Sequence, residues 1–233
     1  MNIHRRRFIT KTATLAASVS AFSLLAPGFL NWGANLSGLE KLAPATQAQA
    51  AVSIDELMKP GPLGEMSEGS DTAEVTIIEY SSMTCPHCAS FHNNVYPKLK
   101  EKYIDTGKVR LIMREFPLDR VALAAVMIVR CADKSQHFPM TEILFKQQPV
   151  WARAKDPATE LFKVAKLAGF SEDKFNACIN NKEIAQGVLE VMNKGRDKFA
   201  VQSTPTFFIN GEKVNGTSNF EDFEKLILPY IKS

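Results

Sequence analysis

The main part of the sequence lacks an excess of charge of either sign. Five of the 28 Lys and Arg residues and one of the 25 Asp and Glu residues precede residue 51, so the remainder holds 23 basic and 24 acidic side chains. This near-neutral balance gives no case for a surface that binds nucleic acid. Internal repeats and low-complexity segments are also missing. The remaining length, about 183 residues, suits one domain or one domain with a large insertion.

Charged residues are also missing from the N-terminal segment between Lys11 and Glu40. This apolar stretch follows a basic start, HRRRFITK, and leads to small residues that end at Ala50. The pattern is typical of an export signal, so we predict that residues 1–50 are a signal peptide that is removed after Ala50. The pair Arg5-Arg6 resembles the twin-arginine signal, and the Sec route is the alternative. An uncleaved membrane anchor is a further interpretation of the same stretch.

Cysteine is scarce, with four residues in the whole sequence. In an exported protein they can be oxidised, and four cysteines allow three pairings. Cys85 and Cys88 are separated by two residues in the stretch TCPHC. Such a pair can form a structural disulfide or a reactive redox site, or it can supply two of the four ligands of a zinc site. Zinc needs two more ligands, and Cys131 and Cys178 are each more than 40 residues away, so we predict no metal.

The region around the cysteine pair has the pattern of a βαβ unit over residues 74–117. Residues 51–73 are predicted to form an N-terminal arm with one helical turn. The apolar, β-branched run EVTIIEY that follows predicts a strand buried on both faces. A helix begins at the cysteine pair, and Pro97 within it is expected to produce a kink. Residues 108–116 alternate apolar and charged side chains as a second strand, which lies parallel to the first.

The rest of the chain divides into a helical part and a final part with strands. Residues 118–200 show helical periodicity with caps such as Ser171 and stops such as Gly169, which predicts an inserted all-helical subdomain. Residues 201–233 return to strand character at TPTFFING. The pair Asn210-Gly211 is a strong signal for a two-residue hairpin turn, and an amphipathic helix follows the hairpin.

This order, with CPHC at the first helix and STPTFFING on the later strand, resembles the thioredoxin fold with a helical insertion. Its specific form is similar to the DsbA family of periplasmic thiol–disulfide oxidoreductases. The resemblance covers nearly all of the chain after the export signal and rests on Glu79, Cys85, Pro86, His87, Cys88, Thr204, Pro205, Thr206 and the Asn210-Gly211 turn. It implies an α/β fold, namely a thioredoxin fold with an inserted all-helical subdomain, and a protein disulfide oxidoreductase activity.

Cys85 is the predicted nucleophile. It precedes Pro86 at the N-terminus of the helix, where backbone N–H groups without intrahelical partners and the helix dipole stabilise a thiolate. His87 adds to this effect if its ring donates a hydrogen bond or carries charge. A low thiolate pKa makes Cys85 a good leaving group and its disulfide oxidising. Cys88 lies one turn deeper and is expected to be buried and to resolve mixed disulfides by attacking Cys85.

Glu79 lies six residues before Cys85 in an otherwise apolar strand, where a carboxylate without a partner is costly. The resemblance implies a buried acid that moves the proton of Cys88. The alternative is a structural salt bridge to a lysine at the end of the strand, such as Lys108. His92, one turn after Cys88, is predicted to be a surface or core-edge residue and not a catalytic one.

The resemblance also implies that Pro205 follows a cis peptide bond and packs against the active-site disulfide. The backbone of Thr204 can then pair with an extended substrate peptide, as in strand addition. Pairing through the backbone suits an enzyme that acts on many sequences. Cys131 and Cys178 lie on different predicted helices and are either two buried thiols or a structural disulfide. We predict the disulfide, because the protein is exported and some DsbA-like proteins resemble it in having a second bridge.

The function implied is that of a monomeric periplasmic oxidase whose redox group is the Cys85–Cys88 disulfide, with no other cofactor. Reduced or misfolded exported polypeptides are its expected substrates. A DsbB-like membrane quinone reductase is the expected partner that reoxidises it. An isomerase or reductase that is kept reduced in the envelope is one alternative. A metal-binding envelope protein without turnover is the other.

Overall fold

A computed structural model of the chain describes residues 53–216 and 219–232. The export signal predicted for residues 1–50 lies outside these residues. Within the described part of the chain, no helix combines the length and the apolar character needed to cross a membrane.

A mixed five-stranded sheet forms the centre of the described fold. Its strands are β1 (Met66–Glu68), β2 (Val75–Ser81), β3 (Val109–Glu115), β4 (Thr206–Ile209) and β5 (Glu212–Asn215). They lie in the order β1-β3-β2-β4-β5; β2 and β3 are parallel, and the other neighbours are antiparallel. The two parallel strands are covered on both faces, as their continuous apolar runs predict. The predicted α/β class is confirmed.

The N-terminal arm contains a strand that the sequence pattern did not predict. A short helix, α1 (Ile54–Met58), comes first, and β1 then pairs with the outer edge of β3. β1 has only three residues, and it lies between Gly64 and Gly69, whose φ angles are +74° and +92°. Three residues are too few for an alternating pattern to be recognised against such turns. The arm is therefore part of the sheet.

The helix that begins at the cysteine pair is interrupted where Pro97 was expected to act. The helix α2 (Pro86–Asn94) ends before Val95, and α3 (Tyr96–Leu99) continues into a π-helical turn, Lys100–Ile104. Because proline has no N–H, the hydrogen bond to the carbonyl four residues earlier cannot form there. The sequence pattern predicted a kink in one helix, and the structure instead has two helices.

The insertion is helical, as predicted, and its helices carry side-chain N-caps at Asp119, Asp156, Ser171 and Asn181. Its last helix lies against the sheet, where Gly195 allows close approach to the ring of Tyr80. A final helix follows the β4–β5 hairpin, whose turn residues Asn210 and Gly211 both have positive φ. The helices are α4 (Arg120–Cys131), α5 (His137–Lys146), α6 (Gln148–Trp151), α7 (Pro157–Leu167), α8 (Glu172–Ile179), α9 (Lys182–Phe199) and α10 (Phe220–Ile227).

A disulfide joins Cys131, the last residue of α4, to Cys178 in α8. Their Cα atoms are 5.9 Å apart, and the bond closes a loop with a sequence separation of 47 residues. In contrast, Cys85 and Cys88 are both free thiols. The bridge therefore restrains two helices of the insertion and leaves the CPHC pair available for chemistry.

We expect the double substitution Cys131→Ser/Cys178→Ser to destabilise the protein without impairing its redox chemistry. On the chain-entropy model a loop of this length contributes about 4 kcal/mol, which lowers the melting temperature of a domain of this size by on the order of 10 °C. Thermal unfolding of wild type and variant measures the effect. Mass spectrometry after alkylation without reduction gives the control, because alkylation of both residues in the wild type would show that the bridge does not form.

Candidate active site

Cys85 stands at the start of α2, at the edge of the sheet where β2 ends. It occupies the N-cap position with extended backbone angles, and Pro86 takes the first helical position. The preceding turn is closed by the Cys85 N–H, which donates to the Ser82 carbonyl oxygen at 3.1 Å. Pro86 fits because the first helical N–H has no intrahelical partner in any helix. The N–H groups that remain at this helix end point toward the Cys85 sulfur.

The surroundings of Cys85 favour its thiolate. The pKa of Cys85 is lowered to about 5, and the largest cause is a hydrogen bond that the Cys88 side chain donates to the Cys85 sulfur. Burial opposes this shift, while the Thr204 hydroxyl and then the backbone N–H groups of Cys88 and His87 support it. The Cys85 thiol itself donates to the Thr204 carbonyl oxygen at 3.2 Å. The Thr204 hydroxyl is buried without a hydrogen-bond partner among the described residues, so it can donate to the sulfur once the thiolate forms.

Cys88 has the opposite environment. Its side chain is completely buried, and this burial is the main cause that raises the pKa of the Cys88 thiol far above its ordinary value. The hydrogen bond to Cys85 and the charge of Glu79 raise that pKa further. At neutral pH the less buried sulfur, that of Cys85, is therefore a thiolate, and the sulfur of Cys88 is a thiol. His87 contributes through its backbone, and its side chain is exposed.

Glu79 is buried, as the strand pattern predicted, but its partner is not Lys108. The Glu79 Oε2 and His92 Nε2 atoms lie 2.9 Å apart, and both side chains are fully covered. His92 was predicted at the surface or core edge, and its ring instead lies in the interior, stacked on Phe145 at 4.4 Å. The difference arises because α5 of the insertion covers this face of α2, which helical periodicity in α2 alone does not reveal.

The Thr204-Pro205 peptide bond is cis and lies beside Cys85. A groove runs past this point. It is lined by His87 and Ser90 of α2, by Thr204 and Pro205, and by Gly216, Asn219 and Asp222 near the start of α10. The structure thus brings together the predicted residues Cys85, Pro86, His87, Cys88, Glu79, Thr204 and Pro205, which are spread over 127 positions of the sequence.

Gln148 belongs to the site and was missed by the sequence analysis. It begins α6 of the insertion, is 6 % exposed, and donates through Nε2 to the carbonyl oxygens of Met83 and Cys85, at 2.8 and 3.0 Å. These two bonds hold the turn that carries Cys85. A glutamine just before Pro149 was the available signal, but its partners lie more than 60 positions away.

We expect Gln148→Met to lower the free energy of unfolding by about 1–3 kcal/mol, because two buried carbonyl oxygens lose a donor. The same variant should slow the reaction of Cys85, since the turn is less fixed. Urea unfolding and the rate of Cys85 alkylation measure the two effects. Gln147→Met is the matched control, because the Gln147 side chain bonds to neither carbonyl. Equal unfolding energies for the two variants would contradict the assigned contact.

Comparison with known proteins agrees with this geometry. A family model described as thioredoxin matches residues 63–228. The crystal structure of alpha-DsbA1 from Wolbachia pipientis is 35 % identical, with 74 % of this chain and 93 % of that chain covered at a TM-score of 0.68. BdbD from Bacillus subtilis shares the fold at 20 % identity, with 75 % and 97 % covered and a TM-score of 0.65.

A Rickettsia typhi protein provisionally named a protein-disulfide oxidoreductase is 32 % identical over 155 residues. That match covers 66 % of this chain and 57 % of the relative; a Rickettsia conorii protein of the same name is 31 % identical, with 77 % and 66 % covered. The chain thus spans less than two thirds of the length of these relatives. With its CPHC helix, cis-proline strand and helical insertion, the chain belongs to the DsbA family of thiol–disulfide oxidoreductases within the thioredoxin fold.

Proposed function

We propose that this protein is a periplasmic disulfide donor, which passes the Cys85–Cys88 disulfide to exported polypeptides. One observation carries the proposal: the pKa of Cys85 is lowered to about 5, while that of Cys88 is raised. A sulfur with a low pKa is a good leaving group, and it stabilises the reduced protein relative to the disulfide. The disulfide is therefore strongly oxidising, as a donor requires.

The reaction takes place in two exchanges. A substrate thiolate attacks Cys85 Sγ, the less buried sulfur, so that a mixed disulfide forms and Cys88 leaves and takes up one proton. A second substrate thiolate then attacks the substrate sulfur of the mixed disulfide and releases Cys85 as a thiolate. Two substrate thiols are oxidised to a disulfide, and the enzyme disulfide is reduced. Glu79 beside Cys88 is the group that we assign to supply the proton.

The groove next to Cys85 is the proposed substrate site. Thr204 and Pro205 offer backbone on one side, and His87 and Ser90 of α2 lie on the other. An extended peptide that pairs with the Thr204 backbone is held without reading its side chains. This mode of binding supports an enzyme with many substrates, namely reduced or misfolded exported polypeptides.

Turnover requires reoxidation of the enzyme dithiol. A DsbB-like membrane quinone reductase is the proposed electron acceptor, and the protein acts as a monomer without a cofactor other than its disulfide. An isomerase or reductase would use the same residues but would be held reduced in the cell. Trapping thiols in cells with acid and an alkylating agent separates these uses, because a donor is found mainly oxidised.

The test of the donor function is a titration of Cys85 combined with an oxidation assay. Thiolate absorbance of the reduced protein should show a transition near pH 5, and the oxidised protein should introduce disulfides into a reduced, unfolded model substrate. A Thr204→Val variant should move the transition to higher pH, because the Thr204 hydroxyl supports the thiolate. A Cys85 transition near pH 9, the value of an ordinary thiol, would contradict the donor function.

A further inference from the structure

Two buried polar atoms beside the active site have no hydrogen-bond partner in the described part of the chain. Glu79 Oε1 and His92 Nδ1 are covered from solvent, and neither accepts nor donates a hydrogen bond to any residue that the structure describes. Their other atoms are joined, since Glu79 Oε2 and His92 Nε2 lie 2.9 Å apart. Most buried polar atoms in proteins are hydrogen-bonded. A buried pair in which each residue keeps one polar atom without a hydrogen bond therefore needs an explanation.

The Glu79 end of this pair interacts with Cys88 through its charge. The charge of Glu79 is among the causes that raise the pKa of the Cys88 thiol. If the protein acts as a disulfide donor, as proposed above, Cys88 gains one proton when the disulfide opens and loses it when the disulfide is remade. During both steps Cys85 carries a partner molecule in the groove, which covers that side of the site. The proton therefore needs a route that does not pass Cys85.

The other end of the pair lies under a cleft on the far side of α2. His92 forms part of its wall together with Asn93 and Pro97 of the same helical region and with Pro139, Glu142, Ile143 and Lys146 of α5. The cleft is separate from the substrate groove, because the two share no lining residue. His92 thus borders this cleft although its side chain is covered from solvent, and the cleft stays open to water when a substrate occupies the groove.

The charged groups around His92 suit the passage of a proton. Glu79 Oε2 lies next to His92 Nε2, and Glu142 and Lys146 line the cleft. Partial desolvation raises the pKa of the Glu142 carboxyl, although the residue remains exposed. The charge of Glu68 raises that pKa further, and Lys100 and His92 oppose the shift. A carboxyl whose pKa is raised holds and releases protons closer to neutral pH than an ordinary one does. The rings of Phe91, Tyr96 and Phe145 surround the imidazole and keep its orientation fixed.

We propose that His92 is the proton-transfer residue that connects Glu79, and through it Cys88, with water in the cleft between α2 and α5. The pair holds one proton between Glu79 Oε2 and His92 Nε2 and one on His92 Nδ1. When Cys88 loses its proton, Glu79 accepts it at Oε1, and the shared proton moves onto His92 Nε2. His92 then releases a proton from Nδ1 to water that enters from the cleft. When the disulfide opens, the same atoms carry one proton inward. No electrons move in this step.

The experiment compares three variants of the full protein. His92→Gln keeps a hydrogen-bonding group next to Glu79 but cannot carry a proton, and His92→Ala leaves space for imidazole added to the buffer. Asn93→Ala, in the wall of the same cleft, is the matched control. The measurements are the stopped-flow rate at which a reduced peptide opens the disulfide, its pH profile and its solvent isotope effect, with the Cys85 transition measured in parallel.

We expect His92→Gln to open the disulfide at least 10-fold more slowly, since positioned proton transfer contributes about 10²–10⁴-fold in enzymes. The Cys85 transition should be unchanged, and imidazole should restore part of the rate of His92→Ala but not alter Asn93→Ala. A wild-type rate and isotope effect in His92→Gln, or a slow His92→Ala variant that imidazole does not rescue, would overturn the role. Disulfide donation by wild type is measured separately, so its absence would count against the proposed function instead.

Discussion

Replacing Cys85 by serine should abolish the oxidation of a reduced substrate, whereas replacing Cys88 by serine should make the protein a trap for its partners. Cys85 is the less buried sulfur, with 5 % exposure against 0 % for Cys88, and only its surroundings favour the thiolate. Incoming thiols therefore attack Cys85. Without Cys88, a mixed disulfide on Cys85 lacks the attack by which the enzyme itself resolves it, and it should persist.

Non-reducing gel electrophoresis of cells that produce the Cys88→Ser variant measures this outcome as adducts that disappear on reduction. The double variant Cys85→Ser/Cys88→Ser is the control, because it keeps the fold and the Cys131–Cys178 bridge but has no active-site sulfur. Adducts that persist in the double variant would come from other cysteines. If instead Cys85→Ser formed the adducts, the roles assigned to the two sulfurs would be reversed.

Local sequence patterns were sufficient to predict the chemistry at the helix N-terminus. A cysteine before Pro86 at the start of a helix meets free N–H groups whatever the rest of the fold does. The Asn210-Gly211 turn is similarly local, because both residues tolerate positive φ. The buried position of Glu79 also followed from its strand, in which each neighbour is apolar. In these cases the relevant interactions span a few residues, so the sequence contains them directly.

The partners of these residues could not be predicted, because they depend on how the insertion packs. Helix α5 covers one face of α2, which buries His92 and places it against Glu79. Helix α6 brings Gln148 to the carbonyl oxygens of the active-site turn. The largest cause of the low pKa of Cys85 is likewise a side chain, that of Cys88, and not the His87 ring considered from sequence. Each of these contacts requires coordinates of several elements at once.

The last expected result is a reversal, with pH, of the effect that the Cys85–Cys88 disulfide has on stability. Closing the short CPHC loop restrains the unfolded chain and should stabilise the oxidised protein by about 2 kcal/mol on the chain-entropy model. In the reduced protein, stabilisation of the Cys85 thiolate by the fold raises the free energy of unfolding and opposes this advantage of the oxidised form. The pKa of Cys85 is about 5 in the folded protein, against 9.0 for an ordinary thiol.

The sign of this contribution follows from proton binding. Between pH 5 and 9 the unfolded reduced chain binds more protons at Cys85 than the folded protein does, so the stability of the reduced form rises with pH across this window. The gain is about 1.4 kcal/mol per pH unit, or about 3 kcal/mol at pH 7. It is lost as the pH falls to 5. The reduced form should therefore be the more stable one above about pH 6.5, and the oxidised form below it.

Urea unfolding of the oxidised and reduced proteins at several pH values between 4.5 and 8 measures the difference. The Cys131–Cys178 bridge must stay intact in both forms, so the reduced sample is prepared with a limited amount of reductant and checked by mass spectrometry. Thr204→Val is the matched variant, because it should move the crossing to higher pH by weakening the support of the thiolate. If the oxidised form remained the more stable one up to pH 8, the Cys85 thiolate would not be stabilised by the fold, and the disulfide would lack the driving force of a donor.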